Sequence, residues 1–397
     1  MKRVFILGAC RTPIAKMGGA LAGVSAPQLG AAVIREAIKR AGVPAGQVDH
    51  VAMGCVIQAG LGQNAARQAA LQAGLPVTAT AETLNLVCGS GLEAVHAAAR
   101  RILCGDADIA VAGGMESMSG APFAMMNARF GYRMGSPMTN TPLVDTMVND
   151  ALWDAINDCH MGVTAENVAE KWGITREEAD AFSAESQRKA AAAVAEGRFK
   201  EEIVPVTVRG RKGDLLVDTD EGPRPGTTPE ALSKQKPVFK PGGIVTAGNS
   251  SGLNDGAAAV VLVSGEKAAE LGLRPQAEWL GGALGGVDPA IMGIGPVVST
   301  GRLFGKLGLC MEDMDAVEAN EAFAAQSIAV KRELAIPDEK LNVHGGAIAL
   351  GHPVGASGCR ILVTLIHVLK QRKKELGLAT LCIGGGMGCS AVLRNCG

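Results

Sequence analysis

"AGVPAGQVDHVAMG", residues 41–54, returns in altered form as "LGLCMEDMDAVEAN", residues 307–320. Gly42 and Asp49 stand seven positions apart, as do Gly308 and Asp315, and the two pairs are offset by 266. Further on, Ser90-Gly91 opens a helical pattern leading into "DIAVAGGM" (108–115). Ser357-Gly358 likewise leads into "LCIGGGM" (381–387), at an offset of 267. Four landmarks in one order at one spacing predict a unit written twice. Within each copy helical periods alternate with short β-branched runs, which is the pattern of an α/β fold. One helix is expected over 90–104, with Leu92, Val95, Ala99, Ile102 and Leu103 on its apolar face. Its counterpart is expected over 357–370, with Ile361, Leu365, Ile366 and Leu369 in the same role.

The stretch between the copies, roughly 120–247, differs in character. It holds Tyr132, the only tyrosine, two of the three tryptophans and the loop-forming "DEGPRPGTTPE". A capping box, Thr175-x-x-Glu178, opens a charged helix whose charges read as a solvated face. This divides the chain into an N-terminal half (1–119 with 248–270), an inserted loop domain (120–247) and a C-terminal half (271–397).

Bulk properties narrow the function classes. The 397 residues carry a net charge of −1, so neither nucleic acid nor an anionic membrane is an expected partner. No apolar run approaches the ~18 residues of a membrane span. The opening "MKRVFILGACRTP" lacks signal-peptide architecture, and a cytoplasmic location is expected. Ten cysteines include no C-x-x-C pair and no zinc spacing with histidine, so no metal is expected and most thiols read as reduced core residues. Glycine, at 53 residues, is nearly twice its usual ~7% and points to close backbone approaches.

Four residues stand out chemically. Cys88, in "TLNLVCGSGLEAV" (83–95), precedes a helix N-terminus, whose dipole is expected to lower the thiol pKa. His352 lies just before the matching helix of the second copy, in "GGAIALGHPVGASGC". If the two helix entrances face each other, a Cys–His pair results, the usual device for activating a sulfur nucleophile. Cys382 begins "CIGGGMG", where glycines leave N–H groups free for an oxyanion. Asn320 stands where the first copy has Gly54; it reads either as an acquired functional group or as a helix cap. Gly60-x-Gly62-x-x-Ala65 with Glu82 is a poor dinucleotide fingerprint, because Gly74 and Pro76 end its helix early.

Taken together, "NLVCGSGLEAV", "AGNSSGLNDGAAA", "NEAFA", "GGAIALGHPVGASG" and "CIGGGMG" resemble the motif set of the thiolases, in order and end to end. The insertion stretch "NDCHMGVTAENVAEKWGITREEADAFSAESQ" resembles that of the family's short-chain, acetyl-CoA acetyltransferase branch. The resemblance implies a thiolase fold, a duplicated five-layer αβαβα core with a loop domain that holds coenzyme A. It also implies a reversible Claisen condensation of two acetyl-CoA to acetoacetyl-CoA and CoA. In that reading Cys88 carries the acetyl group, His352 takes its proton, and Cys382 removes the α-proton of the second acetyl-CoA. His352 and a water held by Asn320 would form one oxyanion hole, and the N–H groups of Cys88 and Gly384 the other.

For coenzyme A the resemblance implies Ser251 at the pantetheine and Arg224 at the adenine end. Leu152, His160, Met161, Phe239 and Phe323 would line the acyl and pantetheine channel. Phe239 and Phe323 read equally as core aromatics, and the basic "VRGRKG" (208–213) reads as a solvated turn. Coenzyme A thioesters would be substrates, with no separate cofactor. A homotetramer is implied, with assembly residues within Met125–Asp145. His344 receives no role, and Cys389 reads as a buried core thiol. The alternative activity is a broader-range 3-ketoacyl-CoA thiolase of degradation. A ketoacyl or hydroxymethylglutaryl synthase would lack the second cysteine, and a non-catalytic acyl-CoA binder would lack Cys88.

Overall fold

The computed structural model describes residues 2–131, 142–211 and 213–397; Tyr132 and Lys212 lie outside the described residues. The main strands are β1 (Val4–Arg11), β2 (His50–Gly54), β3 (Thr80–Leu84), β4 (Ile109–Ser117) and β5 (Asn254–Ser264) in the first copy. The second contributes β6 (Ala277–Gly286), β7 (Ala316–Ala319), β8 (Leu376–Ile383) and β9 (Met387–Asn395). Their order across the sheet is β7-β8-β9-β6-β1-β5-β4-β2-β3. Each copy therefore repeats one arrangement. A parallel pair (β2 with β4, β7 with β8) is followed by antiparallel neighbours (β4-β5-β1 and β8-β9-β6). Even β3 has a remnant counterpart, a parallel bridge from Val317 to Leu341. The copies meet where Val4, Phe5 and Ile6 of β1 pair with Trp279, Glu278 and Ala277 of β6, so the two half-sheets are continuous.

The landmark residues now have physical reasons. Helix α1 (Ala26–Ala41) ends at Gly42 with φ 67°, and the later helix Gly295–Leu307 ends at Gly308, also with φ 67°; glycine takes this left-handed cap without steric cost. Asp49 Oδ2 accepts the backbone N–H groups of Asp108 and Ile109 at 2.9 and 3.0 Å, fixing the start of β4. Asp315 Oδ2 does the same for Glu375 and Leu376 at 3.0 and 3.1 Å, at the start of β8.

Helices α2 (Ser90–Cys104), α3 (Met161–Trp172), α4 (Arg176–Ala195), α5 (Gly295–Leu307), α6 (Ala324–Glu333) and α7 (Ser357–Arg372) complete the frame. The pair α2 and α7 forms the middle layer. Leu92, Val95, Ala99 and Ile102 join Ile361, Leu365, Ile366 and Leu369 in one core between both half-sheets. Leu103 departs from the expected face and is exposed. Outside the first half-sheet lies α1, and outside the second lie α5 and α6, giving the five expected layers.

At the crossing of α2 and α7 a Cβ on Gly91 would lie 2.9 Å from the Cys359 nitrogen, and one on Gly358 would lie 2.5 Å from that of Leu92. The helices thus touch backbone to backbone at their N-terminal ends. That contact brings the loops preceding them together.

The insertion is anchored by a buried ion cluster. Arg11, at the end of β1, pairs with Glu202 at 2.5 Å and with Asp220 at 2.7 and 2.8 Å. Removing one member of such a buried group typically costs about 3–5 kcal/mol, because its partner is left charged and dry. The capping box of α4 forms as read, but its charges are not all solvated. Asp180 is buried, accepting from Arg176 at 2.7 Å and from Asn249 Nδ2 at 3.0 Å.

Candidate active site

Cys88 stands on a strained turn between β3 and α2. Val87 has φ 45°, an outlier for a β-branched side chain, and such strain collects at functional turns. The turn is fastened on both sides. Asn85 Oδ1 accepts the Val87 N–H at 3.0 Å, and Ser90 Oγ accepts from Leu86 N at 2.8 Å while donating to Val87 O at 2.6 Å. Gly89 leaves room for Ile383 of the other half, since a Cβ there would sit 2.4 Å from Ile383 Cδ1.

A pocket of about 420 Å³ gathers Cys88, His352, Leu152, His160, Met161, Arg224, Phe239, Ser251 and Phe323, residues drawn from both halves and the insertion. His160 caps α3, its Nδ1 accepting the Gly162 N–H at 3.0 Å, and its ring stacks on Phe239 at 4.6 Å. Gly162 is needed for that stack, because a Cβ would come 2.2 Å from Phe239 Cδ2. Phe323 meets Phe239 edge-on at 6.4 Å, so both aromatics form wall rather than remote core. Arg224 is exposed at the mouth. His344, by contrast, packs edge-on against Phe199, and Cys389 is buried on β9 against the middle layer; neither lines the pocket.

His352 is 7% exposed, and its ring orientation is set by its neighbours. Its Nδ1 lies 2.5 Å from Ser357 Oγ, and that hydroxyl donates to Pro353 O at 2.9 Å. With its proton spent on the carbonyl, Ser357 accepts from Nδ1–H, which assigns the lone pair to Nε2. Nε2 is buried without a partner among the described residues, and is therefore available to take a proton.

Cys382 ends β8 at 1% exposure, packed against Met161, Met292 and Phe323 behind the pocket wall. Asn320 is not a helix cap; the cap of α6 is Phe323. Its backbone N–H donates to Thr380 O at 3.0 Å, and its side-chain Oδ1 accepts from Arg360 Nη2 at 3.3 Å. Arg360 carries only donors, so the contact fixes the amide with Oδ1 towards arginine and leaves Nδ2 as a buried donor without a protein partner.

The electrostatics overturn the expectation of an acidified nucleophile. Burial pushes the Cys88 thiol up to about 11, although the N–H groups of Gly384 and of Cys88 itself pull it down. Losing water outweighs the helix terminus. Burial also raises Cys382 far above its ordinary value, with nearby Cys88 adding to the effect. His352 is lowered to about 3, by burial first and by Arg360 second. The resting pair is neutral thiol and neutral imidazole, not a preformed ion pair. Sulfur is activated only when its proton passes to imidazole as a substrate is attacked.

Three residues escaped the sequence reading. Ser357 was read only as a helix opener. Glu116 is a lone carboxylate in the apolar strand β4, and Arg360 is the one Lys or Arg within the buried stretch 357–369 of helix α7; a charge isolated in a buried run is the signal that marks them. Glu116 accepts N–H groups from Val56 (3.0 Å), Ile57 (3.1 Å) and Gly355 (2.8 Å), joining loops of both copies beside the pocket. Burial raises its pKa to about 7 against those bonds. The helix after Gly62 spans only Ala65–Gln72, ending before Gly74 and Pro76, and Glu82 pairs with His50 and Arg101.

Comparison with known proteins agrees with this geometry. Residues 4–266 match the family model "Thiolase, N-terminal domain" and residues 273–395 match "Thiolase, C-terminal domain". An acetyl-CoA acetyltransferase of Pseudomonas aeruginosa is 59% identical over 100% of both chains, and one of Syntrophomonas wolfei is 57% identical over 99% of both. The crystal structure of the Bacillus anthracis acetyl-CoA acetyltransferase superposes with a TM-score of 0.97 at 44% identity, covering 100% of this chain and 99% of that one.

Proposed function

This chain belongs to the thiolase family, and from that premise we propose that it is an acetyl-CoA C-acetyltransferase, forming acetoacetyl-CoA and CoA from two acetyl-CoA and running reversibly. The observation that carries this reading is the pairing of Cys88 and an acceptor-ready His352 in one pocket, with the Gly384 N–H directed at the sulfur.

Cys88 attacks the acetyl carbonyl while its proton moves to His352 Nε2 and stays there; the departing CoA sulfur takes the proton of Cys382, which is left as the thiolate base. The carbonyl of the second acetyl-CoA then meets His352 Nε2–H and a water on Asn320 Nδ2. Cys382 removes the α-proton, and the carbanion attacks acetyl-Cys88. The N–H groups of Cys88 and Gly384 take the charge on that tetrahedral oxygen. Each such donor is worth about 10²–10³ in rate. No separate cofactor is required, since coenzyme A thioesters are the substrates; Ser251, Arg224 and the aromatic wall would hold them.

The insertion 120–247 serves in this reading as the coenzyme A-binding loop domain, between halves 1–119 with 248–270 and 271–397. A homotetramer is supported by exposed Met125 and Leu143 within the assembly stretch and Phe123 beside it; part of the stretch (132–141) lies outside the described residues. A cytoplasmic location is consistent with the finding that no described helix is long and apolar enough to cross a membrane.

Labelled acetyl-CoA tests the division of roles. Cys382→Ser is expected to take up acetyl label at Cys88 while losing condensation by several orders of magnitude, because a serine hydroxyl is too weakly acidic to replace the base. Stable label on Cys88→Ala with none on Cys382→Ser reverses the assignment.

A further inference from the structure

Buried polar atoms without partners among the described residues fall mainly into two groups. One belongs to the site above: His352 Nε2, Asn320 Nδ2 and the Arg360–Glu318 pair. The other centres on His96, among residues that do not line the pocket: both its ring nitrogens, Glu93 Oε2 and Trp279 Nε1.

Glu93 and His96 lie three apart on α2, hence on one face of the helix. Cys389 faces them from β9, in the sheet packed against that helix layer. A ligand atom from each of the three lies within 4.8 Å of the others. The imidazole is 2% exposed and occupies space kept open by Gly282, where a Cβ would sit 2.1 Å from His96 Cε1. The backbone of Ser390 lies close enough to favour the protonated ring, though outside ordinary hydrogen-bond geometry; a metal-bound His96 would turn to donate its free N–H there. Glu93 is divided between two tasks: its Oε1 takes Arg100 at the surface, and its Oε2 faces inward.

We propose that Glu93, His96 and Cys389 form a binding site for a borderline-soft divalent cation of the zinc class. Carboxylate, imidazole and thiolate are that ion's ordinary donors. A tetrahedral set with bonds of about 2.0–2.3 Å has donor–donor edges of roughly 3.3–3.8 Å, reached here by small side-chain rotations. On binding, the Cys389 S–H bond breaks, its proton leaves to solvent and a sulfur–metal bond forms. The divalent charge is then balanced by one thiolate and one carboxylate, so the occupied ligand set is neutral. The fourth position is left for water on the Glu93 side, where that side chain is 16% exposed. The cation would brace α2, which begins two residues after Cys88, against the hairpin that carries Cys382 and Gly384. Its role is structural, and it does not depend on which acyl-CoA the pocket accepts.

The test uses tag-free protein, stripped with chelator and titrated with Co²⁺. One equivalent per chain is expected, with thiolate-to-cobalt charge-transfer absorption that Zn²⁺ displaces. Cys389→Ser abolishes the band, His96→Gln and Glu93→Gln weaken binding at least about tenfold, and Cys88→Ser leaves the band in place. If Cys389→Ser does not fold, Glu93→Gln at the surface serves in its stead. Absence of saturable uptake by the wild-type protein overturns the proposal. So does a band that survives Cys389→Ser, a band lost in Cys88→Ser, or binding unchanged in Glu93→Gln.

Discussion

His352 Nδ1 and Ser357 Oγ stand 2.5 Å apart, and the serine's own proton is committed to Pro353 O. The serine therefore selects the imidazole tautomer that presents its lone pair at Nε2. Ser357→Ala is expected to lower the rate of Cys88 acetylation about 10²-fold, the scale on which small misplacements act. Ser357→Thr, which keeps a hydroxyl, should recover much of it. Stopped-flow acetylation of the two variants decides: an unchanged rate in Ser357→Ala removes the orienting role.

The raised thiol predicts an unusual alkylation profile. With the Cys88 pKa near 11, iodoacetamide labelling of the free protein should rise roughly tenfold per pH unit from 7 to 10, following the thiolate fraction. A plateau beginning near pH 7 shows that helix and imidazole acidify the thiol after all. Mass mapping at Cys88 separates its rate from those of the other thiols.

Arg360 touches the reaction through Asn320, beside its lesser effect of lowering the His352 pKa. Arg360→Met removes the donor that fixes the amide, leaving Glu318, whose burial raises it to about 8, largely protonated at neutral pH. The expected result is a fall in kcat with KM little changed, smaller than the ~10²–10³-fold loss for Asn320→Ala. The double variant should be no worse than Asn320→Ala alone, because both changes disable one group. Additive losses place Arg360 in a separate role.

His160, Met161, Phe239 and Phe323 line the pocket, and the short-chain reading makes them the limit on acyl length. Acetoacetyl-CoA should be cleaved with a kcat/KM well above that of a ten-carbon 3-ketoacyl-CoA. Equal values favour the broader degradative activity and remove the short-chain assignment.

Much of this architecture was legible in the residues because the duplication leaves chemical marks. A left-handed cap needs glycine, a strand start needs a carboxylate for two N–H groups, and Gly42, Asp49, Gly308 and Asp315 record those needs twice. The meeting of Cys88 and His352 followed from the same symmetry. The sign of the Cys88 pKa shift did not, because helix polarity is local in sequence whereas desolvation depends on everything packed around the sulfur. Glu116 and Arg360 can be spotted as charges in buried runs, but their partners Gly355 and Asn320 lie 239 and 40 positions away, so their roles are not legible locally. Ser357 works on His352 five positions away, through a side-chain contact that only the folded loop creates. The burial of Asp180 was hidden in the same way: its partner Asn249 comes from beyond the insertion.

The carboxylate of Glu116 draws two of its N–H groups from its own copy and the third from Gly355 of the other. Severing the chain between the copies would strand that acceptor on one fragment and an unpaired amide on the other, with the facing glycines of α2 and α7 opened to water. Neither fragment would keep a diminished version of the pocket, since every wall of it is borrowed. What began as two equivalent modules has become irreversible as an arrangement: the copies have specialised around their contact, and the chain can no longer be divided back into its ancestors.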